Sequence, residues 1–296
     1  MKKKTIKIAV ISSLCCVLAA SAGYISYKNY FEPAANEAVY DDLRDDYENG
    51  KMNFQKKKNN DDQSNSSSSD DNKSIANNDN KSKNDDSSKK DTENNSSNSD
   101  NTGAYNNYSE PISYTYEYED RVIGWINIPD TSINYPVLYL EGDNEYYLTH
   151  DYTNSYNYYG SIYLDGHQYI GAKNMTLFGH NINSYYNAMF REIPNFEYQN
   201  YFDSHPTVYF DLGDESSEYE VIGCLVVDLN KNTYDYNRCN FAEGGDFVDF
   251  ANNLLDHCTV KKSGVTITED DQLLTLSTCS YHTANGRTIL ICRKAK

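Results

Sequence analysis

The chain has 296 residues and a formal net charge of -18, with 44 Asp and Glu against 26 Lys and Arg. A polyanion of this kind repels nucleic acid, which argues against a nucleic-acid partner. Its seven cysteines include no CxxC pair, so no structural zinc site is expected, and nothing in the sequence calls for a metal or a cofactor.

The chain opens Met1-Lys2-Lys3-Lys4, then runs uncharged from Ile8 to Tyr27. About 20 such residues suffice to cross a bilayer. Lysines ahead of the run favour an inside N-terminus and export of the rest of the chain. Residues 1–28 are therefore expected to be a cytoplasmic basic tip and signal-anchor helix. The rival is a cleaved signal peptide ending at Ala20-Ser21-Ala22. The anchor reading gives a single-pass cell-membrane protein with its folded domain extracellular. Cys15 and Cys16 fall in this run. Cys224, Cys239, Cys258, Cys279 and Cys292 remain, an odd number that leaves at least one thiol without an internal partner.

Residues 29–58 form a juxtamembrane segment with Val39, Leu43 and Tyr47 four apart and a stop at Gly50. That is one weak helical stripe. Two placements are open, beside the membrane or packed back on the domain. Residues 59–110 form a linker. From Asn59 to Ala104 it is almost wholly Asn, Asp, Ser and Lys, with Ile75, Ala76 and Ala104 its only apolar residues. Such a composition cannot offset the entropy of ordering, so disorder is expected.

Residues 111–296, about 186 of them, suit one globular domain. The domain is expected to be mainly β with a few helices. Strand patterns fall at Arg121–Ile128, Val137–Leu140, Ser161–Leu164, Met175–Phe178, Thr207–Leu212, Tyr219–Asp228, Gln272–Thr278 and Arg287–Arg293. About eight short strands with turn-rich spacers point to a closed or nearly closed barrel. Phe247, Phe250, Ala251, Leu254, Leu255 and Cys258 share one face of a helix, with Asp246 as its N-cap. Ser184–Ile193 is a shorter helix candidate. The 29 tyrosines are read as strand formers with one wet edge rather than a carbohydrate platform.

The chemistry concentrates near the C-terminus. Cys279 closes the apolar run Thr275-Leu276-Ser277-Thr278, and Arg287 opens the next strand after a turn-forming loop. An ordinary thiol has a pKa of about 8.5, so little of it is thiolate at neutral pH. Attack on an amide therefore needs a base or acid and a group to hold the oxyanion. His180, in Leu177-Phe178-Gly179-His180, suits proton transfer. Arg287 cannot lose its proton and suits a substrate carbonyl or oxyanion. Taken singly, each of the three has a bland structural reading. His282 lies near Cys279 but is read as a solvated loop residue, as are His150, His167, His205 and His257. No third residue that would orient His180 is evident.

Thr275–Cys279 with the arginine after a short loop resembles the nucleophile signature of the sortases, cysteine transpeptidases of the Gram-positive surface. Leu177–Asn181 is similar to that family's histidine segment. Val122–Ile126, Ile128–Thr131, Tyr135–Val137, Asp143–Leu148 and Gly160–Asp165 resemble the class B catalytic domain, in the same order. The resemblance implies a sortase-type closed barrel with a helix before the Cys-bearing strand. It implies Cys279 as nucleophile, His180 as acid/base, Arg287 as oxyanion or substrate clamp, and Ser277 and Thr278 beside the substrate. The implied reaction cleaves a C-terminal sorting signal (NPxTN-like or related) through a thioester. The acyl group then passes to an amine, such as a lipid-linked peptidoglycan precursor or a pilin. Competing readings are a thiol peptidase resolved by water and a surface-tethered, non-catalytic binding module.

Overall fold

The computed structural model describes residues 16–50, 121–182, 186–213, 215–231 and 234–296. The expected linker at 59–110 lies outside the described residues. So do residues 1–15 of the expected anchor.

Nine strands form one sheet: β1 (Val122–Asn127), β2 (Asn134–Leu138), β3 (Ile162–Leu164), β4 (Asn174–Phe178), β5 (Thr207–Leu212), β6 (Glu215–Asp228), β7 (Val260–Lys261), β8 (Leu273–Ser280) and β9 (Gly286–Lys294). Their order is β5-β1-β2-β3-β4-β8-β9-β6-β7, and β5 also pairs with β6. That last pairing closes eight strands into a barrel and leaves β7 as a short flange on β6. Pairings are antiparallel except β2–β3 and β4–β8, which are parallel. The expected mainly-β closed barrel of about eight strands is what forms.

Two cores result from the strand pleat. Leu274, Leu276, Leu290 and Cys292 belong to the barrel interior, with Val137, Ile162, Leu177, Val208 and Phe210. Leu273, Ile289 and Ile291 belong to a second core on the other face. Successive side chains of a strand point to opposite faces. A strand buried on both faces therefore reads as an unbroken apolar run, as Ile289–Cys292 does. The cover on the outer face is α4 (Gly244–Asp256), which contributes Phe247, Ala251, Leu254 and Leu255.

The helix thus lies where its periodicity put it, with its cap revised. Glu243 is the N-cap, and Asp246 sits inside the first turn. There its carboxylate accepts from the Ala242 N–H at 3.0 Å and pairs with Arg238. Of the expected Ser184–Ile193 helix, Ser184 and Tyr185 lie outside the described residues, and residues 186–192 are not helical. Met189 has φ of 52°, a left-handed value that no helix interior tolerates, and a 3-10 turn comes next at Ile193–Glu197. It leads into α3 (Gln199–Ser204).

The expected single-pass membrane anchor, and with it the cell-membrane location of an extracellular domain, requires correction. Among the described residues no helix is long and apolar enough to cross a membrane. Of the apolar run, residues 16–27 are described and residues 8–15 lie outside the described residues. Lys28 and Glu32 then enter, paired at 2.6 Å.

Further along, α1 (Glu32–Ala38) and α2 (Asp41–Glu48), in the described part of the 29–58 segment, pack on the barrel; residues 51–58 lie outside the described residues. Leu43 is buried, and Tyr40 joins the barrel core beside Tyr135. Tyr47 stacks on Trp125 with ring centroids 4.3 Å apart, and its hydroxyl donates to Asp211 at 2.7 Å. Arg44 donates to the Asn134 carbonyl at 3.1 Å and pairs with Glu37 and Asp41. Tyr40, absent from the periodic stripe, is more deeply buried than Leu43.

Truncating Leu43 to Ala is expected to lower unfolding free energy by about 2–3 kcal/mol, as for a buried leucine. A urea midpoint unchanged from the parent would show that the helix contributes no packing.

Candidate active site

The parallel β4–β8 pair and the antiparallel β8–β9 pair bring distant segments to one end of the barrel. Cys279 and Arg287 are direct cross-strand partners. Their Cα atoms are thus about 5 Å apart, and opposed residues of such a pair share a face. Phe178 pairs with Ser277, which puts His180, two residues on, at the level of Cys279. Three hydrogen bonds keep the chains side by side past the end of β4. The Gly179 N–H donates to the Ser277 carbonyl at 3.3 Å. Thr278 Oγ1 donates to the Gly179 carbonyl at 2.7 Å. Asn181 Nδ2 donates to the Cys279 carbonyl at 2.8 Å. Tyr281, on the β8–β9 loop, donates its hydroxyl to the Asn181 carbonyl.

Cys279 is a free, half-buried thiol. That is not the sealed or disulfide-bonded sulfur that a binding module would hold. Cys224 and Cys292 are fully buried, and burial pushes both thiols well above the ordinary range. Cys258 is pushed up to about 12, also by burial. Cys239 and Cys258 are both free, so no disulfide joins them.

Arg287 is half-buried and donates Nη1 to the Gly286 carbonyl at 2.8 Å. Among the described residues it forms no ion pair, so its charge remains available to an incoming oxygen. Gly286 permits this tight turn, because a Cβ there would meet the Ser280 carbonyl at 2.6 Å.

His180 donates Nε2–H to the Leu148 carbonyl at 2.8 Å. A carbonyl only accepts, so this bond fixes the Nε2–H tautomer and leaves Nδ1 for proton exchange. Here is the orienting partner that sequence inspection missed, and a backbone oxygen carries no sequence signal. Burial lowers the His180 pKa from its ordinary value, and the Leu148 bond opposes this more weakly. Gly179 lets Phe190 pack across the turn, since a Cβ would meet its ring at 2.7 Å.

Ser277 and Thr278 are nearly sealed, so neither is placed as an open substrate contact. Ser277 Oγ donates to the Tyr236 hydroxyl at 3.1 Å. Tyr236 itself lies within electrostatic reach of both Arg287 and Cys279. Only its place in the loop before α4 brings it here, which periodicity does not reveal. Of the other histidines, His167, His257 and His282 are exposed as expected, whereas His150 and His205 are half-buried. His150 stacks on Tyr146 and His205 on Tyr201. His282 shares a 2.6 Å hydrogen bond with Ser280 Oγ and lies 3.5 Å from Glu197.

A depressed histidine pKa means that the unfolded chain binds the proton more readily. The neutral ring's contribution is complete above about pH 7 and declines as pH falls below about 6.5. Between pH 7.5 and 5, the parent is expected to lose more thermal stability than His180→Gln. Parallel losses would show that the ring titrates as it does in water.

The family model for the sortase domain matches residues 126–295. Sortase B of Listeria monocytogenes is 32% identical over 161 residues, which cover 53% of this chain and 62% of that protein. Sortase B of Staphylococcus aureus is 27% identical over 179 residues, covering 59% of this chain and 70% of that one. Among solved structures, a Staphylococcus aureus sortase B–substrate complex aligns with a TM-score of 0.54 and 26% identity, over 60% of this chain and 82% of that chain. Sortase B from Bacillus anthracis, in complex with AAEK1, aligns at 0.52 and 29%, over 60% and 79%. The alignment thus spans about three fifths of the Listeria relative's length. With the family model matching more than half of the chain and its barrel aligning with solved sortase B structures, the chain belongs to the sortase family, in class B.

Proposed function

We propose that the chain is a cysteine transpeptidase acting on a peptide sorting signal. The observation that carries this reading is the row formed across β4, β8 and β9, with His180, Cys279 and Arg287 at one level of three adjacent strands. His180 takes the Cys279 thiol proton at Nδ1, and the resulting thiolate attacks the scissile carbonyl. The tetrahedral oxyanion is held by the Arg287 guanidinium, a permanent cation without a carboxylate partner among the described residues. His180 delivers a proton from Nδ1 to the departing amine, and a thioester remains on Cys279. An incoming amine then displaces the sulfur, giving its proton to His180. Charge and protons balance over the cycle without any added reagent.

The substrate is a protein with a C-terminal sorting signal, NPxTN-like or a related variant. The acceptor is the amine of a cell-wall precursor or a pilin. The Staphylococcus aureus relative was solved as a sortase B–substrate complex, which supports a substrate-binding role for this chain. Water is the competing acceptor and would make the protein a thiol peptidase. The two reactions share every step up to the thioester.

Cys279→Ala is expected to abolish cleavage of a sorting peptide by the full chain, and activity equal to the parent would refute the thiol mechanism. Arg287→Lys keeps the charge but loses the planar fork. It is expected to reduce kcat by about 10²–10³, the size of a lost oxyanion donor. Product masses with and without a glycine-based amine identify the acceptor. Amine adducts support transfer, and free acid alone at saturating amine supports the peptidase.

A further inference from the structure

The Leu148 carbonyl that fixes the His180 tautomer is itself held from a distant part of the chain. Leu148 ends a 3-10 turn, Tyr146–Leu148. Across from it lies Gly160, whose φ is +58°. A Cβ on Gly160 would sit 2.7 Å from the Leu148 carbonyl oxygen and 2.3 Å from that of Tyr147. Gly160 is therefore in van der Waals contact with the oxygen that His180 uses. The two segments are laced by backbone bonds, Asn157 N–H to the Thr149 carbonyl and Ser161 N–H to the Tyr147 carbonyl, both at 2.9 Å.

On its other side this pair of segments meets Tyr40. The buried phenol donates to the Gly160 carbonyl at 2.7 Å and lies 3.0 Å from Ser161 Oγ. Ser161 Oγ in turn donates to the His150 carbonyl at 2.8 Å. Two further bonds cross the same seam, Asn157 Nδ2 to the Asn36 carbonyl at 2.9 Å and the Tyr152 hydroxyl to the Val39 carbonyl at 3.2 Å. Tyr40 is thus separated from the imidazole by one glycine and one carbonyl.

We infer that Tyr40 is a positioning residue for His180, acting through Gly160 and the Leu148 carbonyl to hold the ring as its Nε2–H tautomer. The inference rests on the acid/base role proposed above for His180. Without the phenol–carbonyl bond, Gly160 and Ser161 lose their anchor and the Leu148 oxygen its backing. The ring then samples the Nδ1–H form, whose Nδ1 cannot take up a proton.

The test uses Tyr40→Phe in the full chain, which keeps the ring and removes one oxygen. His180 is read by long-range imidazole ¹⁵N–¹H NMR, and kcat and KM by cleavage of a sorting peptide. The expected result is an Nε2–H ring in the parent and a tautomer mixture in the variant. The variant's kcat falls by on the order of tenfold at unchanged KM, as for a misaligned reacting group. An unmoved tautomer overturns the inference, as does a moved tautomer with parental kcat. Gly160→Ala, which pushes directly on the Leu148 oxygen, serves if Tyr40→Phe does not fold, and the same two readouts apply. Cys279→Ala run alongside separates the two ideas. If it is inactive while Tyr40→Phe leaves the ring unchanged, only the positioning role fails. If it is as active as the parent, the transpeptidase reading fails whatever the ring does.

Discussion

Pairing of β8 with β9 is the constraint on which the reactive end of this barrel depends. It sets Cys279 against Arg287, and a slip by one residue would send one of the two to the opposite face. Such a slip would also exchange Ile289 and Ile291 with Leu290 and Cys292 between two cores that are both fully buried. Register is thus enforced by packing on both faces of β9 at once. The thiol and the guanidinium inherit a separation that apolar side chains, remote from any chemistry, have fixed.

The parallel β4–β8 pair adds the third participant under a different kind of control. Beyond Phe178 the ladder ends, and the alignment continues through the Gly179, Thr278 and Asn181 hydrogen bonds. Thr278 and Ser277 act here from within the wall. Their hydroxyls are spent on Gly179 and Tyr236, which makes them struts of the site rather than its surface. Near the thiol lie a guanidinium that forms no ion pair among the described residues and a half-buried imidazole whose pKa burial lowers.

Much of this was legible in the chain. Short apolar or alternating runs overlapped all eight barrel strands, although β2 begins three residues before the expected Val137–Leu140. The i, i+3, i+4 spacing of Phe247, Phe250, Ala251 and Leu254 located α4. The site residues stood out through their flanks and order, since a thiol site draws on few residue types. What escaped had no side-chain signature. β7 spans two residues, too few for any period. The Ser184–Ile193 pattern looked helical, but the left-handed backbone at Met189 is a tertiary outcome. The partner of His180 is a main-chain oxygen, and Tyr40 lies one residue off the stripe that marked its helix. The apolar run at the N-terminus predicted a bilayer crossing that the described helices do not reach.

The strand order also bears on how the barrel comes into being. β9 comes after every other strand in the sequence, yet it is the middle plank between β8 and β6. A ribosome delivering the chain from its beginning leaves β6 and β8 with raw, unpaired edges until β9 emerges. Pairings this distant in sequence are slow to form. Exposed edges of this kind invite association with other chains. The nascent barrel is accordingly most vulnerable just before its completion, and a helper that shields open sheet edges would act on it late in synthesis.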